Sequence, residues 1–160
     1  MHVSVNGVRL FFDVEGAKLV PDGPVMREKP TLLLLHGGPG FDHSIYRPAY
    51  SALSDLVQIV YLDHRGNGRS EEGPRESWNL AQWGDDVRAF CDTLDIVRPI
   101  VLGASFGGMV AMSYATRHPG HPSRLVARAR RSNASTRHSV GSKPTTRRGS
   151  ATKFDSAFTS

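Results

Sequence analysis

In Ile100-Val101-Leu102-Gly103-Ala104-Ser105-Phe106-Gly107-Gly108, an apolar branched run meets a serine held between glycines, and an apolar helical pattern, Met109 to Ala115, follows. The G-x-S-x-G spacing suits a strand that turns into a helix within a residue or two, with Ser105 at the apex in a strained backbone conformation. Side chains two residues before and two after that apex would collide, a physical reason for glycine at 103 and 107. Such a turn lifts the hydroxyl above the carboxyl edge of a sheet. It also sets the N–H of Phe106 at a helix start, where it can face an oxyanion. The competing reading is a strand-to-helix turn whose serine merely caps the helix.

Working outward, His2-Val3-Ser4-Val5 and Val8 to Val14 flank Asn6-Gly7, which predicts a hairpin over 2–14. Gly16 to Pro30, punctuated by Pro21, Gly23, Pro24 and Pro30, reads as a loop. Thr31 to Leu35 and Val57 to Leu62 are continuous apolar runs, as expected of strands buried on both faces of a parallel sheet. The first ends in His36-Gly37-Gly38-Pro39-Gly40 and the second in Asp63-His64-Arg65-Gly66-Asn67-Gly68-Arg69-Ser70. Tyr46 to Leu56 reads as a short helix. A longer helix is predicted from about Asn79 to Asp95, with Leu80, Trp83, Val87, Phe90, Cys91 and Leu94 on one face and Asp85, Asp86, Arg88 and Asp92 largely on the other. Pro99 to Ala104 is the strand into the serine turn, and Phe106 to Arg117 the helix out of it, stopped by His118-Pro119-Gly120.

Strands alternating with helices predict an α/β fold with a mostly parallel sheet. Ligands of such sheets bind outside the carboxyl ends of the strands, so the glycine-rich loops after Leu35, Leu62 and Ala104 are expected on one rim. Gly37, Gly38 and Gly40 around Pro39 let backbone N–H groups approach a ligand closely. There the N–H of Gly38 could pair with that of Phe106 around an oxyanion, each donor typically giving ~2.7–4 kcal/mol of transition-state stabilisation. His36 reads as a brace for its loop rather than a general base. Gly66 and Gly68 supply unusual dihedrals, and Asp63 and Arg65 are expected to bond local backbone.

A chain of 160 residues allows one domain of ordinary size. The formal net charge of +5 is unevenly spread: residues 1–120 hold 11 Lys and Arg against 14 Asp and Glu, whereas residues 121–160 hold 9 against Asp155 alone. Basic character therefore belongs to the last quarter, and an argument toward nucleic acid or an anionic surface would concern that segment only. It lacks interleaved aromatics and repeats, so no specific nucleic acid is expected. The one cysteine, Cys91, excludes an internal disulfide and a multi-cysteine metal site and reads as a small core residue. No metal and no cofactor are expected. The N-terminus lacks a secretory pattern, and the longest apolar run, Leu32 to Leu35, is too short to cross a bilayer, so a cytoplasmic chain outside the membrane is expected.

Taken together, H-G-G-P-G at 36–40, D-H-R-G-N-G-R-S at 63–70 and G-A-S-F-G-G at 103–108 resemble the α/β-hydrolase superfamily. Within it the chain is most similar to the proline iminopeptidase group of serine peptidases, over about residues 2–126, the N-terminal half of such an enzyme. The resemblance implies an α/β-hydrolase fold with an N-terminal antiparallel hairpin. It also implies Ser105 as nucleophile, and the backbone N–H groups of Gly38 and Phe106 as oxyanion donors. Its implied reaction is release of an N-terminal residue, often proline, from a small peptide through an acyl-enzyme. Esterases and other acyl hydrolases share the scaffold and remain an alternative. Related epoxide hydrolases and haloalkane dehalogenases carry aspartate at the apex, against which Ser105 argues.

A serine hydroxyl needs a base, and the base a carboxylate; in this superfamily both follow the serine, acid first. After Ser105 the chain offers His118, His121, His138 and Asp155. The first two lie past the far end of the helix, about 18 Å away at ~1.5 Å rise per residue, and the last two occur in the wrong order. No acid or base is assigned. Pro122 to Val126 reads as the start of another strand. From 127 to 160 the large apolar residues are only Val140, Phe154 and Phe158. Two parts are therefore expected: 1–126 as a hydrolase half-domain truncated after the serine strand and helix, and 127–160 as a basic, disordered tail read out of frame. As such the chain is expected to be inactive, with basic-tail binding as the non-enzymatic alternative.

Overall fold

The computed structural model describes residues 1–128. Strands β1 (His2–Val5) and β2 (Val8–Glu15) form the expected hairpin, turning at Asn6-Gly7, both with positive φ. The segment read as a loop over 16–30 instead carries a second hairpin, β3 (Leu19–Asp22) and β4 (Val25–Glu28), as a separate ribbon. Half the N–H groups of a two-stranded ribbon point outward, so Pro21 is tolerated there. Its largely exposed side chains leave no apolar alternation to read.

β5 (Thr31–Leu35) is buried along its whole length and pairs in parallel with both β6 (Gln58–Leu62) and β7 (Ile100–Ala104). β8 (Arg124–Arg128) adds in parallel to β7, giving the sheet order β1-β2-β6-β5-β7-β8. The sheet thus gains one more strand than expected, and that strand runs two residues past the Val126 boundary. The tail expected beyond it lies outside the described residues.

Between β5 and β6 the expected helix over 46–56 is replaced by two short 3-10 turns, His43–Tyr46 and Ser51–Leu53. Pro48 explains the interruption: it lacks an N–H and pushes Arg47 into an extended conformation, φ −94° and ψ 145°. Helix α1 (Leu80–Thr93) is capped by Asn79, whose side chain accepts the Gln82 N–H at 2.9 Å, an arrangement worth ~1 kcal/mol. Helix α2 (Phe106–Arg117) leaves the serine turn directly.

Both helices cover one face of the sheet, where Leu10, Leu33, Val60, Val101, Val87, Phe90, Cys91, Val110 and Tyr114 form the larger core. On the other face Tyr46 covers Leu32, Leu34, Ile59 and Tyr61, and its hydroxyl donates to the Leu35 carbonyl at 2.7 Å. Toward β8 that face thins: Leu125 and Val126 are exposed, as are Met109 and Met112 on α2. Cys91 is buried, which pushes its thiol up to about 12, a packing role as expected. Among the described residues no helix is long and apolar enough to cross a membrane.

Candidate active site

Ser105 sits between β7 and α2 at φ 53° and ψ −116°, a region that residues with a Cβ rarely occupy. Its side chain makes no cap hydrogen bond to the helix, so helix capping does not account for it. It is exposed, whereas Phe106, Gly107 and Gly108 behind it are buried. The flanking glycines answer to backbone: a Cβ on Gly103 would run into the Gly107 carbonyl, and one on Gly107 into the carbonyl of Leu35. The Ser105 N–H is held by the Arg128 carbonyl at 2.8 Å.

The three glycine-rich loops do share one rim. A Cβ on Gly37 would lie 3.2 Å from the Ala104 carbonyl oxygen and 3.6 Å from the Cβ of Ser105, which places the 36–40 loop beside the serine. Gly38 takes φ 133°, and the Gly40 N–H donates to the side-chain oxygen of Asn67 at 2.6 Å, tying this loop to the one over 63–70. Pro39 follows Gly38 through a cis peptide bond. Gly66 and Gly68 have positive φ, and a Cβ on either would strike Trp78 or Asp63.

His36 braces its loop. Its Nδ1–H donates to the Gly37 carbonyl at 2.6 Å and its Nε2 accepts the His64 N–H at 3.2 Å. Burial pushes both His36 and His64 below the ordinary histidine value, which keeps these rings neutral. Asp63 is fully buried; one oxygen accepts the ring and backbone N–H of His43 at 2.7 and 2.9 Å, and the other accepts the Arg69 N–H at 3.0 Å.

Arg65 departs from the expected local bonding. Its guanidinium forks onto Asp86 of α1, with both contacts at 2.8 Å, and reaches the Asn6 carbonyl at 3.0 Å. Asp86, expected on the solvated face, is instead buried and also accepts from Asn6 and Gln82. Its spacing carried the signal: it lies three residues after Trp83 and four before Phe90, inside the apolar stripe. The network locks the 63–70 loop to α1 and to the β1–β2 turn.

Six of the seven histidines fall among the described residues, and each has a ring nitrogen committed elsewhere. His2 faces the Arg69 carbonyl, His43 faces Asp63, and His36 and His64 face each other. His118 caps the far end of α2 against Asp85 at 2.8 Å, and His121 meets the Tyr114 hydroxyl. Asp85 also takes a fork from Arg117, which holds its carboxyl below the usual range. Among the described residues, then, none of these rings is hydrogen-bonded to Ser105.

A strained serine at a strand-to-helix turn, above a parallel sheet and beside a glycine-rich loop, defines the α/β-hydrolase fold. The family model described as alpha/beta hydrolase fold matches residues 30–147, and the chain belongs to that family. It is 30% identical over 129 residues to a proline iminopeptidase of Pestalotiopsis fici, covering 79% of this chain and 42% of that protein. To a proline iminopeptidase of Thermoplasma volcanium it is 25% identical, covering 78% and 40%. Among solved structures it is similar to an enol-lactonase from Burkholderia xenovorans, at 30% identity and a TM-score of 0.68 over 79% of this chain and 45% of that one. The chain thus spans about two-fifths of the length of the curated relatives it matches.

Proposed function

We propose that Ser105 is the nucleophile of an acyl hydrolase and that the N–H groups of Gly38 and Phe106 are its oxyanion donors. The observation that carries this reading is the backbone of Ser105: an exposed hydroxyl held at φ 53° with no capping role. Folding alone gains nothing from that strain, whereas acyl transfer needs a hydroxyl raised from the backbone with two amides beside it. In the reaction, the hydroxyl oxygen adds to a carbonyl, a base takes its proton, and the amides receive the negative charge. Collapse then expels the leaving group and leaves an ester on Ser105, which water hydrolyses.

The two proline iminopeptidases among the relatives support a small peptide with an N-terminal proline as substrate class, with simple esters as the alternative. The proton acceptor and its carboxylate are not supplied by the described histidines. The 160-residue chain is therefore expected to retain only what an oxyanion hole gives, some 10³–10⁴-fold over water in enzymes stripped of their triad.

A fluorophosphonate probe tests this. Slow labelling confined to Ser105 and abolished by Ser105→Ala is the expected result, with prolyl-naphthylamide cleavage near background. Labelling that survives Ser105→Ala would overturn the assignment of the nucleophile. Fast labelling would instead place a working base in the chain.

A further inference from the structure

The two amides assigned above as oxyanion donors come from separate segments, one after β5 and one at the start of α2. His64 stands between those segments and touches both. Its Nε2–H donates to the His36 carbonyl at 3.3 Å while its own backbone N–H donates to the His36 ring at 3.2 Å, a reciprocal pair of bonds. The two imidazoles lie 4.5 Å apart. On its other side the His64 ring meets the Phe106 ring edge-on, at 5.5 Å and 87°. Phe106 is closed in from beyond by Trp83 at 4.9 Å and 89°, and the Trp83 indole N–H donates to the Arg65 carbonyl, the residue next to His64. All four rings are buried.

We propose that His64 is a positioning residue that sets the spacing between the Gly38 and Phe106 amides. The proposal rests on those two amides being the oxyanion donors. A neutral ring suits the task, because Nε2–H must donate to a carbonyl and a second charge beside His36 would be repelled. A purely apolar ring could fill the space but could not hold the His36 carbonyl, so the loop carrying Gly38 would lose one of its ties. Glutamine retains an N–H donor of comparable reach.

The test compares His64→Leu with His64→Gln in the full chain. Backbone ¹⁵N order parameters of Gly38 and Phe106 are expected to fall in the leucine variant from a rigid value of about 0.85 toward 0.6, while those of β1 and β2 stay unchanged. Fluorophosphonate labelling of Ser105 should slow by about tenfold in the same variant, the scale of one lost hydrogen bond, and recover with glutamine. Unchanged order at Gly38 and Phe106 would overturn the proposal, as would loosening spread evenly over the sheet or no rescue by glutamine. If the unmodified chain does not label at all, the functional reading fails, and the order parameters still decide the role of His64.

Discussion

The backbone N–H of Ser105 donates to the carbonyl of Arg128, so the tip of the serine turn is closed by the last described residue of the sheet. This bond holds an unusual conformation that the side chain itself opposes. Removing that side chain should therefore help. Ser105→Gly is expected to exceed Ser105→Ala in stability by roughly 1 kcal/mol, since alanine keeps the Cβ that strains the turn. Thermal midpoints of the two variants decide it; equal midpoints would mean the strain is absent.

Gly107 has the opposite sensitivity. Its Cα lies so close to the Leu35 and His36 carbonyls that a methyl group has nowhere to go, and both neighbours are backbone of the loop-bearing strand. Gly107→Ala is expected to destabilise by more than ~4 kcal/mol, the range reserved for severe core clashes. Gly7→Ala, where no atom lies within 4 Å, should cost only the strain of its positive φ. Urea unfolding of the two variants should separate them clearly.

The Arg65–Asp86 fork is buried on both sides, so breaking it should cost more than deleting it. Asp86→Ala leaves a guanidinium without its carboxylate, at about 3–5 kcal/mol. Combined with Arg65→Met, a large part of that loss should return. A double-mutant cycle with strictly additive losses would count against a coupled pair.

Acid should loosen the rim before carboxylates titrate. Burial depresses His36 and His64 in the folded chain, against the upward pull of Asp63 and Asp42 on His36 and the downward push of His43. Above about pH 6.5 neither state protonates these rings and their contribution is complete. Below it the unfolded chain takes up protons that the folded chain refuses, so stability falls with pH until the depressed values are reached. Urea midpoints at pH 7.5 and 5.5 are expected to drop, and His64→Gln to flatten the slope. An unchanged slope in that variant would remove His64 from the account.

Much of this architecture could be read from residues whose constraints are local. Asn6-Gly7, the apolar runs over 31–35 and 58–62, and the glycines around Ser105 each answer to a neighbour within a few positions. Pro48 also spoke locally, and a single helix through it was a misreading of a plain signal. The hairpin over 19–28 was invisible for a different reason: its side chains face water on both sides, so no apolar period marks it. Asp86 was hidden by its chemistry. A carboxylate in an apolar stripe makes sense only once Arg65 arrives from a loop, and no spacing rule connects them. β8 was legible through Val126, whereas Ala127 and Arg128 enter the strand because β7 offers a ladder, not because their composition asks for one.

The order in which strands leave the ribosome differs from the order in which they stand in the sheet. β5 is made first of the parallel set, β6 pairs with one side of it soon after, and β7 arrives at its other side only after the whole 63–99 segment. During that interval the most thoroughly apolar strand of the chain has an open edge and lacks the α2 residues that later cover it. A nascent chain paused there presents Leu32 to Leu35 to its surroundings, and that is the stage at which a holding chaperone would find it.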